Sequence, residues 1–375
     1  MTRPFDAAPR PLRLEGRPVH AVGTFRIYVC GITPYDVTHL GHASTFLWSD
    51  LAARVLRATG SRVQVTRNVT DVDEALLAEA RRRQEPYDLL ASRQRFAFDS
   101  TMTRLGARLP DAEPTARQAV SQVVDLASAL LERDAAYVVG STVYARGAGT
   151  LARAGLDEAR ALELSAEYGD FPRDPAKEHP LDVVVWRGSD DVDADVSWPS
   201  PWGAGRPGWH AQCAAMVLGA YGSGVDLHAG GADLRFPHHA AEALLAEAAT
   251  GVAPFARAWL HPGIVSVNGA KMAKSTGNLV LVDDLLADVS PAAVRLLCLH
   301  RPVSEPWSYD DAALERAATL ADDIWAAAAR PGSGSGARAV EDALLDGLDV
   351  TRAVAVALEA GGPAARRLSE VLALG

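Results

Sequence analysis

Apolar and polar positions change period along this chain, and the changes mark its elements. "FRIYVC" (25–30) is a short apolar run, the pattern of a buried strand, and it ends on a cysteine. A loop bearing Gly31, Pro34 and the quartet "HLGH" (39–42) follows. Over 43–60, "ASTFLWSDLAARVLRATG", apolar residues recur at helical spacing and Gly60 closes the run. "RVQVTRNV" (62–69) alternates as a second strand, and "DEALLAEARRR" begins another helix. Strand, loop, helix and strand in this order form a βαβ unit, which predicts an α/β fold whose parallel sheet offers ligands its carboxyl edge.

From about 110 to 179 the pattern shifts. A helical stretch ("TARQAVSQVVDLASALLERD") leads to a strand pair around "AAYVVGSTVYAR" and then to the polar "AEYGDFPRDPAKEHP", which reads as an insertion. "LDVVVWRG" (181–188) predicts that the sheet resumes, followed by helix "GWHAQCAAMVLGAYG", strand "GVDLHAGG", helix "HHAAEALLAEAATG" and strand-like "AWLHPGIVSV". Helices dominate after 285. "ARPGSGSGARA" (329–339) reads as a flexible linker, with one or two helices at most beyond it. The expected organisation is a first half of a nucleotide-binding domain over 1–105, an inserted connective domain over 106–190, a second half over 191–285, a helical region over 286–328, and a linker with a short helical C-terminus over 329–375.

Composition narrows the partners. The net charge of −10 argues against a nucleic-acid binder, whose affinity comes from neutralising phosphates. Three cysteines, Cys30, Cys213 and Cys298, lie too far apart to read as a disulfide framework. No apolar run approaches the roughly 20 residues a bilayer demands, and "MTRPFDAAPRPLRLEGRP" lacks the apolar core of a secretory signal, so a cytoplasmic location without membrane contact is expected.

Two sets of residues carry candidate chemistry. Cys30 and Cys213 each lie near the end of a predicted element, and His238 and Glu242, at i and i+4, share one helix face. Two thiols, an imidazole and a carboxylate suit Zn²⁺. A buried thiol is also an ordinary core filler, and a helical His–Glu pair an ordinary surface pair, so residue types alone leave zinc and packing level. HLGH stands where a strand turns into a helix, the place where phosphates meet unpaired N–H groups. "VNGAKMAKSTGN" puts Lys271 and Lys274 in a Gly-bearing loop, where they could neutralise a triphosphate or simply face water.

HLGH and KMAKS, about 230 residues apart, resemble the HIGH and KMSKS signatures of class I aminoacyl-tRNA synthetases. "YVCGITPYD", "RNVTDVDEAL", "GRPGWHAQCAAM" and "HAGGADLRFPHH" resemble the cysteinyl subgroup, and the likeness runs from about 27 to 307. It implies a Rossmann-like nucleotide-binding domain with an inserted connective domain and a short helical C-terminal region. It also implies one Zn²⁺ per chain, held by Cys30, Cys213, His238 and Glu242, where a soft metal would separate a substrate thiol from the hydroxyl of serine. His39 and His42 would act at the α-phosphate of ATP, and Lys271 and Lys274 at the β- and γ-phosphates, with Mg²⁺ as counter-ion. The cysteinyl-adenylate would be lined by Cys30, Gly31, Ile32, Thr33, Thr45, Asn68, Val69, Thr70, Trp209, Gly231, Ala232, Asp233 and the backbone at Val265. Core packing is the plain alternative for Trp209, and a buried cap the plain alternative for Asp233.

Two branches share such a site: synthetases that charge tRNA, and the cysteine:glucosaminyl-inositol ligases of mycothiol biosynthesis, which form an amide. "GITPYDVTHLGHA" and "SWPSPWGAGRPGWH" resemble the ligase branch, at Pro34 and Pro199 above all. "EYGDFP" (167–172) falls where ligases carry ERGGDP, agreeing at Glu167, Gly169 and Pro172. The short C-terminal segment, in which acidic residues outnumber basic ones, is not a tRNA surface. The expectation is ATP-dependent, AMP-forming ligation of L-cysteine, through a zinc-held cysteinyl-adenylate, to an amino-sugar acceptor by a monomer, with tRNA not expected as a partner. The alternatives are a tRNA-charging enzyme, a ligase diverged towards another amine, and an inactive zinc-binding paralogue. Ala273, Gln212 and Ala240 depart from the family's pattern, and Glu242 is a ligand associated more with the synthetases.

Overall fold

The computed structural model describes residues 10–34, 38–188, 196–272, 277–332 and 334–375. A short antiparallel hairpin, β1 (Leu12–Leu14) and β2 (Arg17–Val19), leads into β3 (Thr24–Ile32), whose apolar residues are buried on both faces. The predicted helix follows as α1 (Leu40–Ala58), with the His39 ring as its N-cap, and then β4 (Arg62–Val69). β3 and β4 pair in parallel, Tyr28 opposite Thr66, but the register slips between Val29 and Ile32, so the strand end bulges at Cys30 and Gly31. α2 (Glu74–Arg83), capped by Asp73, and α3 (Tyr87–Arg104) follow and pack on each other through Leu76, Leu77, Leu90 and Ala91.

Next along the chain come α4 (Val120–Glu132), β5 (Ala136–Val139), β6 (Thr142–Ala145), α5 (Thr150–Ala154), α6 (Glu158–Glu167), β7 (Val183–Gly188) and β8 (Gly205–Pro207). The four strands form their own antiparallel sheet in the order β5-β6-β7-β8. This corrects the expectation for 181–188: β7 pairs with β6 and β8 rather than resuming the parallel sheet. The expected boundary at 190 therefore falls inside this antiparallel sheet. An apolar run specifies burial, not which sheet supplies it, and the Val183, Val185 and Trp186 side chains bury against α4 and the next helix.

That helix is α7 (Trp209–Tyr221), followed by β9 (Leu227–Ala229), a 3₁₀ turn (Ala232–Leu234), a π-type segment (Arg235–His239) and α8 (Ala240–Thr250). β10 (Trp259–Leu260) completes an all-parallel sheet in the order β10-β9-β3-β4. The strand-like "AWLHPGIVSV" is broken at Pro262–Gly263. Its second half is β11 (Val265–Val267), which joins β12 (Ala270–Lys271) and β13 (Trp307–Tyr309) in a third sheet. Between β12 and β13 lie α9 (Val282–Asp288) and α10 (Pro291–Leu299).

The C-terminal expectation is corrected too. α11 (Asp311–Ala329) is followed within a few residues by α12 (Ser335–Leu345), α13 (Val350–Ala360) and α14 (Gly362–Leu372), three helices where one or two were expected. Val340, Ala343 and Leu344 bury one face of α12, and all three helices share the main core with α1 and α10. A fully buried Arg295 ties them in, donating to the carbonyls of Leu372 and Leu105 and pairing with Asp50. Among the described residues no helix is long and apolar enough to cross a membrane.

Candidate active site and metal centre

The carboxyl edge of the parallel sheet and the N-terminal ends of α1 and α7 enclose a cavity of about 570 Å³. At its inner end the four expected ligands converge. Cys30 comes from the β3 bulge, Cys213 from the second turn of α7, His238 from the π-type segment and Glu242 from the first turn of α8. One donor atom from each lies within 4.8 Å of all the others. His238 Nε2 is 2.7 Å from Glu242 Oε1, and the Cys30 thiol donates to the same oxygen at 3.2 Å. All four side chains are buried.

Gathering two thiols and a carboxylate in an apolar interior is costly unless a cation compensates. Within the protein alone, protons supply it. Burial pushes the Cys30 thiol up, helped by its contacts with Cys213 and Glu242, whereas the bond from Cys30 holds Cys213 low. Burial would raise Glu242, yet His238 and His228 hold it well below the usual carboxylate range. Burial likewise opposes charge on His238, but Glu242 and Cys213 push it up to about 10. A divalent cation would displace those protons, and this thiol-rich, closed donor set fits Zn²⁺. The alternative grouping of Cys30, His228, His239 and Glu242 shares two of its members. In the first grouping His228 Nε2 binds the outer oxygen of Glu242 at 2.8 Å, the outer-shell contact that orients a ligating carboxylate.

The same cavity is lined by His39 and His42, which stack with ring centroids 3.8 Å apart, and the His42 backbone N–H donates to His39 Nδ1 at 3.4 Å. The cavity wall includes Gly31, Ile32, Thr33, Thr45, Asn68, Thr70, Trp209, Gly231, Ala232, Asp233 and Val265. Gly31 is required by close approach, since a Cβ there would lie 1.6 Å from the Asn68 carbonyl oxygen. Its N–H donates to Asn68 Oδ1, and the Asn68 amide donates to Thr70. Trp209 stacks on His238 at 4.3 Å, so it packs and lines the site at once. Val69 stands apart from the wall: its backbone groups bond to residues 114 and 116, and its side chain is buried. Lys271 contributes its backbone to β12, and Lys274 and Ala273 lie outside the described residues.

Sequence reasoning missed the further histidines. His210 and His228 contact the cluster, and His239 bonds to His261 at 2.8 Å. Burial, then the neighbouring His228, keeps His239 low, and burial with Arg235 takes His261 to about 4. The doublet at 238–239 and the His after Trp209 were the available signals. Gln212, one of the departures noted in the sequence, donates its amide to the carbonyls of Val72 and Pro207, a bond a carboxylate could not make. Ala240 packs into a small apolar cluster with Phe236.

Burial and His39 depress His42 from 6.5 to about 3. The half-buried ring is therefore neutral at working pH, and its NMR signals should not titrate between pH 5 and 8. Because the unfolded chain binds this proton and the fold does not, the contribution to stability is lost as pH falls from 6.5 towards 3. A midpoint near 6.5 in the folded protein would contradict this.

Residues 18–319 match the family model of the tRNA synthetases class I (C) catalytic domain. The chain is 42% identical over 363 residues to the L-cysteine:1D-myo-inositol 2-amino-2-deoxy-alpha-D-glucopyranoside ligase of Frankia casuarinae, covering 94% of this chain and 76% of the relative. The ligase of the same name from Thermobispora bispora is 40% identical, over 94% and 88%. Among solved structures, Mycobacterium tuberculosis methionyl-tRNA synthetase in complex with methionyl-adenylate superposes with a TM-score of 0.63 at 18% identity, over 94% of this chain and 82% of that one. That likeness confirms a class I synthetase fold. The chain belongs to the class I (C) tRNA synthetase catalytic-domain family and, within it, to the group of the L-cysteine:1D-myo-inositol 2-amino-2-deoxy-alpha-D-glucopyranoside ligases.

Proposed function

We propose that the chain activates L-cysteine with ATP and passes it to the amine of 1D-myo-inositol 2-amino-2-deoxy-alpha-D-glucopyranoside. The observation that carries this reading is one cavity lined both by a thiol-rich group of candidate ligands and by a stacked histidine pair, in a chain about 40% identical to ligases of that name. The cysteine carboxylate attacks the α-phosphorus and pyrophosphate leaves. The acceptor amine then attacks the carbonyl of the cysteinyl-adenylate, losing a proton as AMP departs with the bonding pair and an amide forms.

Zn²⁺ would be held by Cys30, Cys213, His238 and, through Oε1, Glu242, and when bound it supplies a soft Lewis acid that prefers the thiol of cysteine to the hydroxyl of serine. His39 and His42 donate N–H groups to the α-phosphate as its charge rearranges, His42 as a neutral imidazole. Lys271 and Lys274, with Mg²⁺, take the β- and γ-phosphates in the same reading. Trp209 closes the sulfur end against water, and Asp233 at the wall receives the substrate ammonium or the ribose hydroxyls. A monomer in the cytoplasm, where ATP and free cysteine meet, completes the proposal.

The test is cysteine-dependent exchange of labelled pyrophosphate into ATP without acceptor. Exchange with cysteine and at least about 1,000-fold less with serine is expected, beyond the roughly 10–200-fold that a pocket's shape alone achieves for near-isosteres. No exchange by zinc-loaded protein would refute the activation step.

A further inference from the structure

His238 has two ring nitrogens, and both are committed. Nε2 faces the cluster, 2.7 Å from Glu242 Oε1, while Nδ1 lies 2.8 Å from Nδ1 of His210. Two imidazole nitrogens at that distance share one proton, and which ring owns it must be set by something else. The other nitrogen of His210, Nε2, lies 3.4 Å from Asp170 Oδ2. A carboxylate only accepts, so His210 carries its proton on Nε2 and presents a lone pair at Nδ1. That lone pair takes the Nδ1–H of His238, so Nε2, whose proton faces Glu242 Oε1 in the metal-free protein, is the nitrogen that would yield its proton to a metal. Both rings are buried, so no bulk water competes for these positions.

Asp170 lies between α6 and β7, remote in sequence from every ligand. This segment reaches the site because Ala161 and Leu181 pack with Phe236 and Ala240 on either side of the two histidines. We propose that Asp170 is a positioning residue of the metal centre: through His210 it fixes the tautomer and the plane of His238. The inference rests on the reading of Cys30, Cys213, His238 and Glu242 as the zinc site.

The experiment compares full-length wild type, Asp170→Ala, Asp170→Asn and Asp174→Ala, each loaded with Zn²⁺ and challenged with a chromogenic chelator, and each loaded with Co²⁺ for its visible spectrum. Asp174 is the control for the loop, since it accepts from the Tyr144 hydroxyl at 2.8 Å and does not bond to His210. Asp170→Ala should weaken zinc binding by about 10–100-fold, the usual effect of losing an outer-shell partner. Asp170→Asn keeps an acceptor and should recover most of that affinity, and Asp174→Ala should match wild type. The Co²⁺ thiolate bands should persist in all four, because the ligands themselves are unchanged. Wild-type zinc affinity in Asp170→Ala, or an equal loss in Asp174→Ala, would overturn the inference while leaving the ligand set standing. Wild type that binds no zinc would overturn both.

Discussion

Changing Cys213 to serine is expected to abolish zinc retention and cysteine-dependent ATP–pyrophosphate exchange together. The substitution alters one atom at a buried position, so folding should be little affected, and the circular dichroism spectrum serves as the control. What it removes is a buried thiol whose contact with Cys30 lowers its pKa. A serine hydroxyl does not ionise at neutral pH and is a poor ligand for a soft metal. With only Cys30, His238 and Glu242 left, zinc should fall from about one per chain to a small fraction. Exchange should drop by more than about 100-fold, exceeding the 10–100-fold that follows loss of an outer-shell partner. Normal zinc content in this variant would refute Cys213 as a ligand. Loss of zinc with unchanged exchange would instead remove the metal from amino-acid selection.

Arg295→Ala should destabilise the fold by about 3–5 kcal/mol, the range found when one member of a buried ion pair is removed. Arg295 is fully buried and pairs with Asp50 at 3.1 Å. It also donates to the carbonyls of Leu105, at 2.9 Å, and Leu372, so a single side chain joins α1, the end of α3, α10 and the last helix. Without it the Asp50 carboxylate keeps its bond to Arg54 but loses its buried partner. The midpoint of urea unfolding measures the change. An Asp50→Leu, Arg295→Met double variant should recover only part of the loss, because Arg54 then loses its own carboxylate partner at 2.7 Å. A loss under about 1 kcal/mol in Arg295→Ala would mean that water or a neighbour replaces the pair.

The strongly periodic elements were legible in the sequence. Those over 25–32, 40–58, 62–69, 209–221 and 240–250 stand within a few residues of their predicted spans. Partner choice was not legible. Residues 183–188 read correctly as a strand, but the run of valines is the same whether the neighbour is parallel or antiparallel. Helix α12 was obscured by the Gly and Ser at its start, although Val340, Ala343 and Leu344 keep helical spacing.

At the site, residue types named a zinc set without bringing it together. Only the fold carries Cys30 and Cys213, 183 positions apart, to within 4.8 Å, and spacing along the chain holds no trace of that. His210, His228 and His261 were missed because a buried imidazole gives no periodic signal. Each works by a hydrogen bond to another ring or carboxylate, which sequence does not encode.

In the proposed reaction the activated cysteine goes to a small amine. That transfer is tested most directly by giving the zinc-loaded enzyme ATP, Mg²⁺ and L-cysteine with either glucosaminyl-inositol or tRNA and identifying the cysteinylated product by mass spectrometry. The account predicts an amide with the amino sugar, formed with stoichiometric AMP and pyrophosphate, and no charged tRNA. Charged tRNA with the amino sugar left unmodified would contradict it.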